Sequence, residues 1–213
     1  DVVAVSRILG YASRWEDIHN PYLILQALTL TSYVNEHRDT EDNEVLAFYG
    51  DRVIEWYVTR KLMDRFAGEG EDTPWLVSDF GEDGYSEIKS KLVCRENLAR
   101  IASSYHLENY IRTGKGSAKA EKDSTDVLGE LREALVGAFA IDSSYGVQDS
   151  QNLNYPWHNL PTSLASLCGS PTQCNQNRLL DLMTMDYERI DKVIGGFLDI
   201  EHFLDKEALE GKA

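Results

Sequence analysis

Positive charge is scarce in this sequence: 213 residues carry 21 Lys and Arg against 36 Asp and Glu, a formal net charge of −15. So acidic a chain repels phosphate backbones unless a local basic patch or a bound cation intervenes, which excludes a general basic nucleic-acid binder. Cysteine is scarce too. The three present cannot all pair internally, and no segment has the order of a signal peptide, so a reducing intracellular compartment, cytoplasmic or nuclear, is expected. Any apolar run of about 18 residues is missing, which predicts no membrane span and no membrane partner. There is no alternating strand pattern, internal repeat or heptad. What is present is ordinary globular material, 42% hydrophobic, in a length that suits one core.

Helical patterns fill most of the chain. Asn20-Pro21 reads as an N-cap followed by a first-turn proline, opening a helix toward Tyr33. From Glu41 to Phe66 there is no proline and one glycine, and apolar residues cover most of the helix circumference, the mark of a central buried helix. Gly50 in its middle costs about 1 kcal/mol against Ala, which predicts a second helix crossing close by. Residues 68–84, broken by glycines and Pro74, read as a loop leading into a helix from Ser86 through Ile101. Tyr105 to Tyr110 reads as a short helix, and Ser124 or Asp126 caps another that runs to about Asp142. Between Val147 and Asn175 the only charge is Asp149, so this is a polar insertion, after which Asn177–Phe197 and an acidic piece, Asp199–Leu209, return to helical spacing. The fold class expected is all-α.

Carboxylates inside apolar helices are the chemically informative feature. Glu44 and Asp51 are seven residues apart, which at about 100° per residue returns to nearly one face of the long helix. Glu130 and Glu133 repeat the situation at i, i+3 in VLGELREALVGAFA, beside the small residues Gly137 and Ala138. Two helices presenting paired carboxylates to a core can hold Mg2+ or Mn2+, which take oxygen ligands and tolerate bound water. The alternative is surface Glu pairs, or partners for Arg52 and Arg132.

The run Asn43-Glu44-Val45-Leu46-Ala47-Phe48-Tyr49-Gly50-Asp51 resembles the ribonuclease III signature Asn-Glu-x-Leu-Glu-Phe-x-Gly-Asp. Three further segments resemble that family in the same order: residues 19–33 its first core helix, 90–116 its middle helices, and 127–142 its second catalytic helix. The resemblance implies a ribonuclease III-type endonuclease domain that hydrolyses RNA, double-stranded by resemblance, to 5′-phosphate and 3′-hydroxyl ends. It makes Asp51, Glu130 and Glu133 metal ligands, Glu44 a further catalytic carboxylate, Glu82 an outlying acidic residue, and Phe48 the aromatic anchor of a homodimer. There are departures. Ala47 stands where the family has Glu, deleting one ligand, Glu130 stands where it has Asp, and Leu30 where many members have His. The altered site leaves weakened duplex cleavage, a shift toward single-stranded RNA, and a catalytically impaired scaffold for dimerisation and RNA binding as open outcomes.

One domain is expected over residues 1–213, with a family-like core at about 15–146, the polar insertion at about 147–175 and C-terminal helices at about 176–210. The 16 residues after Phe197 are too few for a double-stranded-RNA-binding domain. Arg112 and Lys115, in Arg-Thr-Gly-Lys-Gly, are candidate phosphate contacts, extended by Lys119 and Lys122, although a solvent turn explains them equally well. Cys168 and Cys174 with His158 lack a recognised zinc spacing, and Cys94 reads as core.

Overall fold

The computed structural model describes residues 2–70, 73–116, 122–149, 187–198 and 200. Its helices are Val2–Ile8 (α1), Pro21–Ala27 (α2), Thr31–Val34 (α3), Glu44–Phe66 (α4), Glu82–Val93 (α5), Arg95–Ser104 (α6), Thr125–Asp149 (α7) and Tyr187–Leu198 (α8), with 3-10 turns at Trp15–Asp17 and Leu107–Tyr110. No described helix is long and apolar enough to cross a membrane. Among the described residues the fold is all-α save for one antiparallel hairpin, Ala67–Gly70 (β1) and Thr73–Ser78 (β2). That hairpin lies where glycines and a proline read as loop.

The helix starts obey local chemistry. The Asn20 side chain accepts from the Tyr22 N–H at 3.1 Å and Pro21 opens α2, while Ser124 Oγ accepts from the Val127 N–H at 3.2 Å and caps α7. Ser124, not Asp126, is therefore the cap.

The core is organised by α4 lying across α7. Leu46, Val53, Ile54, Tyr57 and Leu62 from α4 are buried together with Leu131, Leu135 and Phe139 from α7. At the crossing two glycines meet. A Cβ on Gly50 would collide with the Glu133 carbonyl oxygen and stand 2.8 Å from the Gly137 nitrogen, and one on Gly137 would collide with the Leu46 carbonyl oxygen. The helix-propensity cost of Gly50 is thus offset by close backbone packing. Elsewhere α4 is less buried than its apolar content suggests. Val45, Phe48 and Trp56 are 62%, 72% and 46% exposed, forming an outward stripe rather than core.

Two polar anchors hold the periphery. Asp142, fully buried on α7, accepts from the Tyr11 hydroxyl at 2.5 Å, from the His19 N–H at 3.2 Å and from the Asn20 N–H. It clips the segment between α1 and α2 to the core. Asp191 on α8 accepts from the Tyr57 hydroxyl at 2.6 Å and pairs with Lys61 at 2.8 Å, docking α8 beside α4 with Ile190, Val193 and Ile194 buried. The polar insertion at 147–175 and the piece Asp199–Leu209 fall outside the described residues, apart from residues 147–149 at the end of α7 and Ile200.

Candidate active site

The glycine crossing decides which side chains become neighbours. Because the two backbones touch at Gly50 and Gly137, the next residue on α4, Asp51, lies beside Glu133, one turn back on α7. Asp51 acts directly on the ionisation of Glu133. Burial first, and then the Asp51 charge, push the Glu133 carboxyl up from its ordinary 4.5 to about 7, against the opposing pull of Arg95 and Arg52. Glu130 is also pushed up, by burial and then by Glu44, with Arg95 pulling it down and Asp42 and Asp126 adding to the rise. Four carboxylates from the sequence expectation, Glu44, Asp51, Glu130 and Glu133, therefore form one electrostatically linked group across α4 and α7.

Three participants give no signal in sequence spacing. Arg95, at the start of α6, packs its aliphatic stem against Gly129, pairs with Asp126 at 3.2 Å and feels Glu133 and Glu130. Asp42 and Glu44 share the Thr31 hydroxyl, which donates at 2.9 Å to the first and 3.3 Å to the second. These contacts join residues far apart in the chain, so only the fold brings them together.

The site does not converge into a closed ligand cage. Among the described residues no group of three or more His, Cys, Asp or Glu is gathered closely enough to hold a metal ion, and the expected set Asp51, Glu130 and Glu133 is electrostatically linked but spread. The physical reason is visible in the pairing. Asp51 turns to Arg52 at 2.7 Å, and Arg52 also reaches Glu55 at 2.6 Å, while Glu130 lies toward Glu44. Ala47 is 5% exposed and contributes no donor. The donor chemistry nonetheless fits Mg2+ or Mn2+: all oxygens, half-buried, with an excess of negative charge that protonation of Glu133 or a cation would relieve.

Other expected residues are dispersed. Glu82 is exposed on the first turn of α5 and is not among the charges acting on Glu130 or Glu133. Arg112 is engaged: its guanidinium lies 4.1 Å over the Tyr33 ring, its Nη1 donates to Thr29 at 3.2 Å, and its backbone bridges Leu28 and Leu30. Lys115 is exposed, with its N–H donating to Glu36 at 2.7 Å, and Lys122 donates to the Ile111 carbonyl at 2.8 Å. Of this basic loop, Lys115 keeps an exposed ammonium. Lys119, Cys168, Cys174 and His158 lie outside the described residues. Cys94 is half-buried and donates to the Lys91 carbonyl. Arg132 is buried and coupled to Tyr105, its pKa lowered by that burial.

Known proteins give this geometry a lineage. The chain is 34% identical to a Ribonuclease 3 of Roseburia hominis over 150 residues, 63% of this chain and 42% of that protein. It is 35% identical to one of Treponema succinifaciens over 61% of this chain and 35% of that protein, and 33% identical to one of Listeria innocua over 60% and 52%. The chain thus matches about half or less of these relatives' own length. In fold it is similar to the nuclease domain of ribonuclease III from Campylobacter jejuni, with TM-score 0.54 and 22% identity, covering 72% of this chain and 94% of that one. A family model described as Ribonuclease-III-like matches residues 20–152, well over half of the chain. With the signature helix and the second carboxylate helix both inside that span, the chain belongs to the ribonuclease-III-like family.

Proposed function

We propose that the chain is a metal-dependent endoribonuclease domain that hydrolyses RNA phosphodiester bonds to 5′-phosphate and 3′-hydroxyl ends. The observation that carries this reading is the Gly50–Gly137 crossing, which sets Asp51 beside Glu133 in a half-buried carboxylate group. Asp51, Glu130 and Glu133 would hold Mg2+ or Mn2+. The chemistry a bound cation supplies is activation of a water and stabilisation of the leaving 3′-oxygen. Glu44, oriented by Thr31, adds negative charge behind the ligands, and Arg95 limits the repulsion within the group. With Ala47 apolar and buried, the chain offers one carboxylate fewer to a cation, which would lower its affinity and weaken duplex cleavage.

The RNA is double-stranded by family resemblance. At a net charge of −15 its binding is weak and steeply salt-dependent, with Lys115 as a phosphate contact. Residues 1–213 act as one domain around the core at about 15–146. The protein works as a homodimer in which Phe48, 72% exposed beside Val45, anchors the partner. Phe48→Glu should convert dimer to monomer in sedimentation without loss of fold, and a wild type that sediments as a monomer at micromolar concentration ends the dimer claim.

A second reading, a catalytically impaired scaffold that keeps the fold for RNA binding, is favoured by the Asp51–Arg52 ion pair and the spread ligands. One experiment separates the two. Labelled double- and single-stranded RNA are incubated with Mg2+, with Mn2+ and with EDTA, using wild type and Asp51→Asn. Metal-dependent cutting that Asp51→Asn removes supports the enzyme, whereas RNA binding without any cutting supports the scaffold.

A further inference from the structure

The β1–β2 hairpin stands at the far end of α4 from Glu44 and Phe48, and nothing in the nuclease chemistry uses it. Its base is fixed. The Asp79 N–H donates to the Phe66 carbonyl at 3.2 Å, and Phe80 packs edge-on against Phe66 with ring centroids 4.8 Å apart. Beyond that base β2 exposes Trp75, Leu76 and Val77 in succession, at 73%, 67% and 49%. Successive strand residues point to opposite faces, so both faces of the ribbon carry apolar surface. Among the described residues the sheet has two strands, which leaves the outer edge of β2 unpaired by any strand. Native edges of this kind are usually blunted by proline, inward charge or a covering element. Here Pro74 sits near the start of β2, leaving Trp75, Leu76 and Val77 beyond it.

Charge singles out the occupant. Between Arg65 and Lys89 the sequence has seven Asp and Glu and no Lys, Arg or His. Of these, Glu69, Asp79, Glu82 and Asp83 are described and exposed around the hairpin. A second copy of the chain would bring the same acidic surround against this one, and RNA or an anionic lipid surface would be repelled in the same way. We infer that the outer edge of β2 is a docking site for an extended segment of a partner protein, with alternating apolar residues flanked by Lys or Arg, which adds to the hairpin as a third strand. Backbone ladder bonds would supply the register, Trp75 and Val77 the contacts on one face and Leu76 on the other, and the carboxylates the selection for a basic flank.

The test uses the full chain and a fluorescently labelled short peptide of alternating valine and threonine with lysines at both ends. Three results together support the inference. The lysine peptide binds about tenfold more tightly than its glutamate-ended twin, a difference of about 1.4 kcal/mol. The same peptide N-methylated on alternate amides does not bind. Trp75→Ala and Glu69→Lys each weaken binding while leaving the helical circular dichroism unchanged. The inference is overturned if the lysine peptide does not bind wild type, if both peptide ends bind equally, or if N-methylation is tolerated. It is also overturned if Trp75→Ala acts on self-association or RNA binding in place of peptide binding.

Discussion

Asp142 and Glu133 are two carboxylates on the same helix, and the fold treats them in opposite ways. Asp142 is fully buried, and burial alone would raise its pKa, yet the His19 ring nitrogen 3.6 Å away and hydrogen bonds from the Tyr11 hydroxyl and the Asn20 and His19 backbone hold it below the ordinary aspartate value. Glu133 is less buried but is pushed up to about 7, because burial acts together with Asp51. Donor supply therefore decides the sign of the shift more than depth does. A carboxylate given donors becomes a strut, whereas one set facing another carboxylate is held ready for a cation or a proton.

Removing the strut should give the largest effect. Asp142→Ala strands the Tyr11 hydroxyl and the His19 and Asn20 N–H groups in the core and should cost about 3–5 kcal/mol in urea unfolding. Asp142 also contributes to the acid limb of the stability curve. Its folded pKa is depressed, so its contribution is present above the ordinary aspartate value and is lost as pH falls through the lower folded value. Asp142→Asn should flatten that limb.

Glu133→Gln should next lower metal-dependent RNA cleavage by about a hundredfold or more. The same change has an opposite signature in stability. Between 4.5 and about 7 the folded Glu133 binds protons that the unfolded chain has released, so stability of the metal-free protein should decline as pH rises through that window. Glu133→Gln should remove the decline, as should saturating Mg2+ or Mn2+, and thermal melts across the window check both. A decline that survives in Glu133→Gln would assign the titration to another group.

Ala47→Glu sharpens the contrast by adding a further carboxylate one turn before Asp51. Because Ala47 is 5% exposed, the longer side chain should cost about 1–3 kcal/mol without metal, while raising Mn2+ affinity in calorimetric titration and increasing duplex cleavage. An affinity that does not rise would show that the site has diverged around alanine. The smallest effect is expected from Arg95→Gln. This residue lowers the pKa of both Glu130 and Glu133, so its loss should move the end of the Glu133 decline upward in pH with little change in fold.

Much of this was legible in the sequence, for identifiable reasons. Asn20-Pro21 and Ser124 announce their helices because capping is local chemistry, and Gly50 announces a close crossing because it pays a helix cost that packing must offset. The carboxylates of α4 and α7 follow from helical periodicity. Arg95, Asp42 and the Asp142 clip were invisible because their partners are set by packing between distant segments. Arg112 illustrates the same limit: a basic residue in a Gly-Lys turn reads as a candidate phosphate contact, and only the fold shows that its guanidinium also lies over Tyr33. The hairpin gives no strand signal because strand reading relies on alternation, and β2 exposes apolar residues on both faces.

The glycine crossing also limits how the site can be adjusted. Backbone atoms of Leu46, Gly50, Glu133 and Gly137 define the separation of α4 and α7. It is therefore set by the van der Waals radii of main-chain atoms and not by side-chain rotamers, and no repacking of the surrounding core can bring the two helices closer. In the proposed metal site, fitting one cation radius rather than another would fall to the torsions of Asp51, Glu130 and Glu133. The shortest side chain has the fewest of them, so Asp51 would serve as the fixed jaw and the two glutamates as the moving one.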